Sequence, residues 1–83
     1  MKYKVCGYQF IDYEKDGKRN TGYRFHLISE PVNDGKNVGS SVDQVYLSSS
    51  KQVLIEKFLS FSKTGKMFRI FYNKYGTVEE ILE

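Results

Sequence analysis

Apolar and polar side chains alternate along several short segments of the chain, a pattern typical of strands with one buried face. The clearest case is the segment 21–29. Tyr23 and Phe25 point to one side of this predicted strand, whereas Arg24 and His26 point to the other side. A strand in a protein core needs only the first set. We therefore expect the Arg24 side to face an anionic partner.

Four further segments are rich in β-branched and aromatic residues and predict strands. They are residues 2–13, 42–47, 66–72 and 77–82. Gly7 suggests a bulge or a sharp bend within the first of them. Asp16 and Gly17 predict a tight turn, because glycine readily adopts the positive φ that such turns need, so the first two strands should form an antiparallel hairpin. Residues 31–41 predict a polar loop.

The segment 50–59 predicts one helix. Its apolar residues recur at helical spacing and form a single stripe. The residues of the stripe are Leu54, Ile55, Phe58 and Leu59. Ser49 and Gln52 fit a capping box, in which each side chain bonds a free backbone N–H group at the start of the helix.

The predicted order is strand, strand, strand, helix, strand, strand, in one domain over residues 1–83. This is the order of the OB-fold, a partly open five-stranded Greek-key barrel. We therefore expect a mainly β protein with one short helix and an OB-fold-like barrel. An SH3-like barrel is the nearest competitor, and a ferredoxin-like fold fits less well because it needs a second helix.

Composition and charge limit the classes of function. The chain has 83 residues, of which 40% are hydrophobic and 16% aromatic, and its formal net charge is +3. This composition is that of a globular protein, and a mild positive charge by itself is weak support for nucleic-acid binding. Residues 63–76 hold basic residues and no acidic ones, whereas residues 79–83 hold three glutamates. That acidic tail should either offset a basic surface or lie on another face.

The single cysteine and the N-terminal residues indicate the compartment. Cys6 has no disulfide partner, and the start of the chain lacks a long apolar run. We therefore expect a cytoplasmic protein with no secretion signal and no membrane span. A core this small favours self-association, and we expect a homodimer.

The sequence shows no centre for catalysis. His26 is the only histidine, and no carboxylate is placed to work with it. We expect no enzyme, no metal site and no cofactor. The glycines of residues 34–41 lack the Gly-Lys-Ser/Thr sequence of a P-loop. Cys6 is expected to be a small buried hydrophobic residue.

Basic and aromatic residues converge on the surface that an OB-fold uses for oligonucleotides, namely strands two and three and two of the loops. Such binding needs cations for the phosphates and aromatic faces for the bases. The expected contact residues are Lys15, Lys18 and Arg19 in the first hairpin, Arg24 and His26 in strand two, Tyr46 in strand three, and Lys74 and Tyr75 in the last turn. We expect binding to single-stranded DNA with little sequence preference, and RNA offers the same groups.

The chain resembles the small single-stranded-DNA-binding proteins of filamentous phages and related Gram-positive mobile elements, which are dimeric OB-fold proteins. The similar segments are RNTGYRFHL, which follows a basic hairpin, and GKMFRIFYNKYG near the C-terminus. The resemblance implies that Tyr23 stacks on bases and that Lys18 and Arg19 contact phosphates. It also implies a phage, plasmid or transposon origin.

The remaining aromatic residues leave an alternative open. Most of the large apolar residues are expected in the core, namely Phe25, Phe58, Phe61, Met67 and Phe71. Phe68 and Tyr72 fall on the opposite side of their strand and predict an oligomer interface or, second, a platform for bases. The alternative function is a protein-interaction or structural assembly module of a phage or mobile element.

Overall fold

The computed structural model describes residues 2–83, which are mainly β with one helix, as the sequence predicts. Met1, the first residue of the expected domain, lies outside the described residues. In chain order the elements are β1 (Tyr3–Lys15), β2 (Lys18–Ser29), β3 (Val32–Asn33), β4 (Val38–Gly39), β5 (Val42–Ser48), α1 (Gln52–Thr64), β6 (Arg69–Tyr72) and β7 (Val78–Leu82). The five predicted strands correspond to β1, β2, β5, β6 and β7. The short pair β3–β4 lies within the segment predicted as a loop.

The hairpin of β1 and β2 forms as the sequence predicts. Asp16 and Gly17 both have positive φ, 54° and 74°, which is the geometry of a two-residue turn matched to the twist of the strands. This turn places Lys15 opposite Lys18 and fixes the register of the whole hairpin. The register shifts between Val5 and Gly7, so the predicted bulge is present there.

The strands form three sheets, and residues 2–83 contain no closed barrel. The largest sheet has the order β1–β2–β5, and the other two are the hairpins β3–β4 and β6–β7. One antiparallel bridge connects β1 with the residue before β6. In it, the Tyr3 and Phe68 backbones each donate an N–H to the carbonyl of the other, at 2.7 and 2.8 Å.

The helix begins and ends later than the sequence indicates. The capping box is wrong, because Lys51 is the N-cap residue and no side chain caps α1. The Ser49 hydroxyl instead lies 2.7 Å from the Thr21 hydroxyl and ties the start of the helix to β2. The helix continues to Thr64 because Phe61 still packs on the core, with its ring 5.1 Å from that of Phe68.

Contacts between aromatic rings hold the helix against the sheet, with Phe58 stacked on Phe25 and edge-to-face with Phe68. Phe58 lies 4.8 Å from Phe25 of β2 and 5.4 Å from Phe68, measured between ring centroids, and all three side chains are fully buried. The assignment of Phe68 to an exposed face was therefore wrong, as was that of Phe71 to the core, because Phe71 is 44% exposed. The backbone bridge with Tyr3 directs the Phe68 side chain towards α1. The buried and exposed sides of this strand are therefore the reverse of those expected.

The lone cysteine also departs from the prediction. Cys6 is exposed, not buried. It is the extra residue of the bulge, since Val5 pairs with Leu27 and Gly7 pairs with His26. The bulge thus removes Cys6 from the alternation that would have carried it to one face of the sheet.

Candidate nucleic-acid interface

The β1–β2–β5 sheet has two distinct faces. We call the side that carries Arg24 and His26 the outer face, and the side that carries Phe25 and the helix the core face. Directly opposed residues of neighbouring strands share a face. Arg24 lies between Gln9 of β1 and Tyr46 of β5, and these three residues form one row across the outer face.

The charges of this sheet are segregated between the two faces. The register places five basic residues on the outer face, namely Lys4, Lys15, Lys18, Arg24 and His26. The three carboxylates of the same strands, Asp12, Glu14 and Asp43, all fall on the core face. Within β1, β2 and β5, the outer face therefore combines cations with no acidic residue.

Two accessible tyrosines share the outer face with Arg24. Tyr46 and Tyr13 are 43% and 44% exposed. Desolvation raises the pKa of Tyr46, the neighbouring Tyr13 phenol adds to the rise, and the positive charge of Arg24 opposes it. Tyr46 thus interacts with both Tyr13 and Arg24, and its accessible ring lies beside a guanidinium group. Such a set can contact both bases and phosphates.

The turn between β6 and β7 lies next to β5. Its shape is held by Asn73, whose side-chain oxygen accepts the backbone N–H groups of Tyr75 and Thr77, at 2.9 and 3.1 Å. Thr77 and Tyr46 line the same surface groove. Tyr75 is 79% exposed, and the Lys74 ammonium lies 5.1 Å from its ring centroid. The turn that carries Lys74 and Tyr75 therefore lies beside β5.

Arg19 departs from the predicted set of phosphate contacts. It falls on the core face, where its guanidinium forms two bonds with the Asp12 carboxylate, one of them from Nε at 2.9 Å. These bonds with Arg19 lower the pKa of Asp12. Lys15 and Lys18, by contrast, are exposed on the outer face at the end of the hairpin. Arg19 therefore lies apart from Lys15 and Lys18, with its charge paired to Asp12 on the core face.

Tyr23 also lies away from the outer face. It is half-buried on the core face, where its ring centroid is 5.4 Å from that of Phe10 and 5.9 Å from that of Phe25. The alternation of side chains predicts this position correctly, and Tyr23 is therefore not on the face that carries Arg24. Tyr23 links the exposed part of the hairpin to the core.

Sequence reasoning missed Tyr13 and Lys4 as members of the outer face. The missing step is the register of the hairpin. Counting back from the two-residue Asp16-Gly17 turn pairs Tyr13 with Asn20 and Gln9 with Arg24, which places both on the Arg24 side. The same count does not reach Lys4, because the extra residue Cys6 shifts the alternation of side chains between the two faces by one position.

Two of the three acidic C-terminal residues form ion pairs with other parts of the chain. Glu80 of β7 forms an ion pair with Lys57 of α1, and Glu83 lies 3.0 Å from the Lys66 ammonium. These contacts partly neutralise the cations of the helix side. The remaining cationic surface of the sheet is the outer face.

No protein-family model, curated protein or solved structure matches the chain. Among residues 2–83, no three His, Cys, Asp or Glu side chains are grouped as metal ligands would be. The helix in this part of the chain, at 13 residues, is too short to cross a membrane.

Proposed function

We propose that the protein binds single-stranded DNA, or RNA, with little sequence preference through the outer face of the β1–β2–β5 sheet. The observation that carries this proposal is the segregation of charge. Lys4, Lys15, Lys18 and Arg24 share one face, and the carboxylates of the same strands lie on the opposite face. Such a face attracts polyanions, because no carboxylate of the same strands offsets its cations.

The aromatic residues of the face support single strands over duplexes. Tyr46 exposes part of its ring beside Arg24, Tyr13 exposes part of its ring beside Tyr46, and Tyr75 is exposed in the adjacent turn. Unpaired bases can stack on such rings whatever their sequence, because every base has an aromatic face. Stacking of this kind does not read the edges of the bases, so we expect little discrimination among them.

The neighbours of each strand support an OB-fold-like barrel that is partly open. The sequence of neighbours runs β5, β2, β1 and then, through the Tyr3–Phe68 bridge, β6 and β7. An OB-fold joins its five strands in this order and exposes strands two and three to oligonucleotides. In the present chain the opening lies between β5 and β7.

A titration of the protein with oligo(dT) at two salt concentrations tests the proposal. Binding should weaken as salt rises, because phosphate contacts release counterions. Arg24→Ala should make the dependence of log affinity on log salt shallower by about 0.7, the value for one contact on a single strand. Lys63→Ala is the matched control, because it removes the same charge from the last turn of α1.

The absence of binding at low salt, or equal effects of Arg24→Ala and Lys63→Ala, would contradict the proposal. The second candidate function is then a protein-interaction or assembly module. The observation that favours it is the exposure of Phe71 and Leu82, which lie on one face of the β6–β7 hairpin at 44% and 51%.

A further inference from the structure

One edge of β1 lacks a partner strand over most of its length. β1 is the outermost strand of its sheet, and on its far side the Tyr3–Phe68 bridge is its one strand contact among residues 2–83. From Tyr8 to Lys15 its residues are exposed, apart from the half-buried Ile11. Exposed edges template the pairing of another strand, and most proteins protect them with lysine, proline or a bulge.

The central part of this edge has no such protection. The segment 7–13, GYQFIDY, contains no lysine and no proline, and it begins just after the bulge at Cys6. Its only charged residue is Asp12, which is neutralised by Arg19 of the same chain. The segment also exposes three aromatic side chains, Tyr8 at 52%, Phe10 at 54% and Tyr13 at 44%.

The backbone groups along the edge are placed for pairing. A two-residue turn makes Lys15 and Lys18 a hydrogen-bonded pair, and such pairs alternate with non-bonded ones along an antiparallel ladder. The residues of the non-bonded pairs, Tyr8, Phe10 and Asp12, therefore direct their N–H and C=O groups away from β2. These are the groups that a further strand would bond.

We propose that this edge pairs with the same edge of a second copy, with β1 antiparallel to β1 about a two-fold axis through Phe10. Phe10 is the central position of the segment 7–13, with three residues on each side. With the axis at Phe10, all seven residues therefore pair with residues of the same segment in the second copy, and none falls opposite the bulge at Cys6. Phe10 then faces its own copy, and Tyr8 faces Asp12 of the partner subunit. A hydroxyl meets a carboxylate in that pair, and no like charges oppose one another.

A second copy fits this edge better than an unrelated partner because the segment is complementary to itself. Tyr13 falls opposite Gly7 of the partner subunit, a large ring against a residue without a side chain. The same combination already occurs within the chain, where Tyr46 covers Gly22. The pairing would join two β5–β2–β1 sheets into one and place their outer faces side by side. It does not depend on nucleic-acid binding.

Sedimentation and amide hydrogen exchange of the wild-type protein test the pairing. We expect a dimer at micromolar concentration, and protection of the Tyr8, Phe10 and Asp12 amides that is lost on dilution to monomer. Phe10→Glu places two like charges at the axis and should give a monomer with unchanged circular dichroism. Phe71→Glu is the control, since it changes an exposed phenylalanine of β6 and should leave the dimer intact.

Two results would overturn the pairing. The first is a monomer throughout the concentration range, and if Phe10→Glu then lowers its affinity for oligo(dT), the edge contacts nucleic acid instead. The second is a dimer in which the Tyr8, Phe10 and Asp12 amides exchange freely, or which Phe71→Glu dissociates and Phe10→Glu does not. The wild-type exchange pattern decides the question even if Phe10→Glu fails to fold.

Discussion

Tyr46 occupies the space that a side chain at Gly22 would need. A Cβ atom built on Gly22 would lie 2.6 Å from the Tyr46 hydroxyl oxygen and 2.5 Å from the Leu47 carbonyl oxygen. Glycine in the middle of a strand usually weakens it, and here its absence of a side chain allows the tyrosine ring to cover the backbone. Gly22 therefore positions Tyr46 beside Arg24 on the outer face.

Gly22→Ala should destabilise the protein. The closest atom belongs to the backbone of β5 and cannot rotate away, so the sheet itself must shift. We expect a loss of roughly 1–3 kcal/mol, as for other overpacked sites, measured by urea unfolding. Gly7→Ala, compared at concentrations where the protein is monomeric, is the control, because within one chain its Cβ would meet only a carbon of the His26 ring at 3.9 Å, an ordinary contact. Equal losses for both variants would contradict this account.

The sequence predicts the hairpin and the faces of β2 well, because both depend on local rules. The turn at Asp16 and Gly17 needs only its own backbone conformation. The alternation of Phe25 with Arg24 needs only one buried face. The positions of Tyr13 and Arg24 on a common face follow from those two rules together. The ion pair of Arg19 with Asp12 cannot be derived from these rules, because it depends on which long side chains contact one another across the two strands.

The sides of β6 could not be predicted in the same way. The strand is short, apolar on both sides and irregular between Phe71 and Tyr72, so the pattern carries little information on direction. The Tyr3–Phe68 bridge, a contact across 65 positions of the chain, decides that Phe68 faces the helix. The spacing of apolar residues within the strand does not indicate such a contact.

This reversal gives a prediction for stability. Phe68→Ala should reduce the free energy of unfolding by about 3–5 kcal/mol, because it empties a fully buried site between Phe58 and Phe61. Phe71→Ala should have a much smaller effect, since that side chain is 44% exposed. Urea denaturation of both variants measures the difference. A larger loss for Phe71→Ala would mean that the strand faces the other way.

Stability should also fall in acid through Glu80. Hydrogen bonds from the Lys57 ammonium and from the Ile81 N–H lower the pKa of this carboxyl below its ordinary value of 4.5. A folded pKa below the unfolded one stabilises the fold above pH 4.5, and the effect is lost as pH falls through the folded pKa. Glu80→Gln should therefore be less stable than wild type at pH 7, and the difference should shrink below pH 4.5. A difference independent of pH would contradict the ion pair.

The two cations at the end of the hairpin should contribute differently to binding. Lys18 lies on the outer face, whereas Arg19 is paired with Asp12 on the core face. Lys18→Ala should make the salt dependence of oligo(dT) affinity shallower by about 0.7, and Arg19→Ala should leave it nearly unchanged. Titrations of both variants over a range of salt concentrations measure the slopes. The reverse result would place the phosphates on the core face.

Stacking on Tyr46 and Tyr13 should be visible in the tyrosine fluorescence. The chain has seven tyrosines and no tryptophan, so bases that contact the rings should quench the emission directly. Tyr46→Phe should keep most of the affinity, because the ring remains, while Tyr13→Ala should cost roughly 1–3 kcal/mol of binding free energy.

Tyr23→Ala is the contrasting variant. Its ring packs on Phe10 and Phe25 in the core face, so it should lower the melting temperature and leave affinity for oligo(dT) unchanged at a temperature where the variant is folded. If instead Tyr23→Ala abolished binding in a folded protein and Tyr13→Ala did not, the nucleic acid would lie on the core face of the hairpin, and the charge segregation of the outer face would need another explanation.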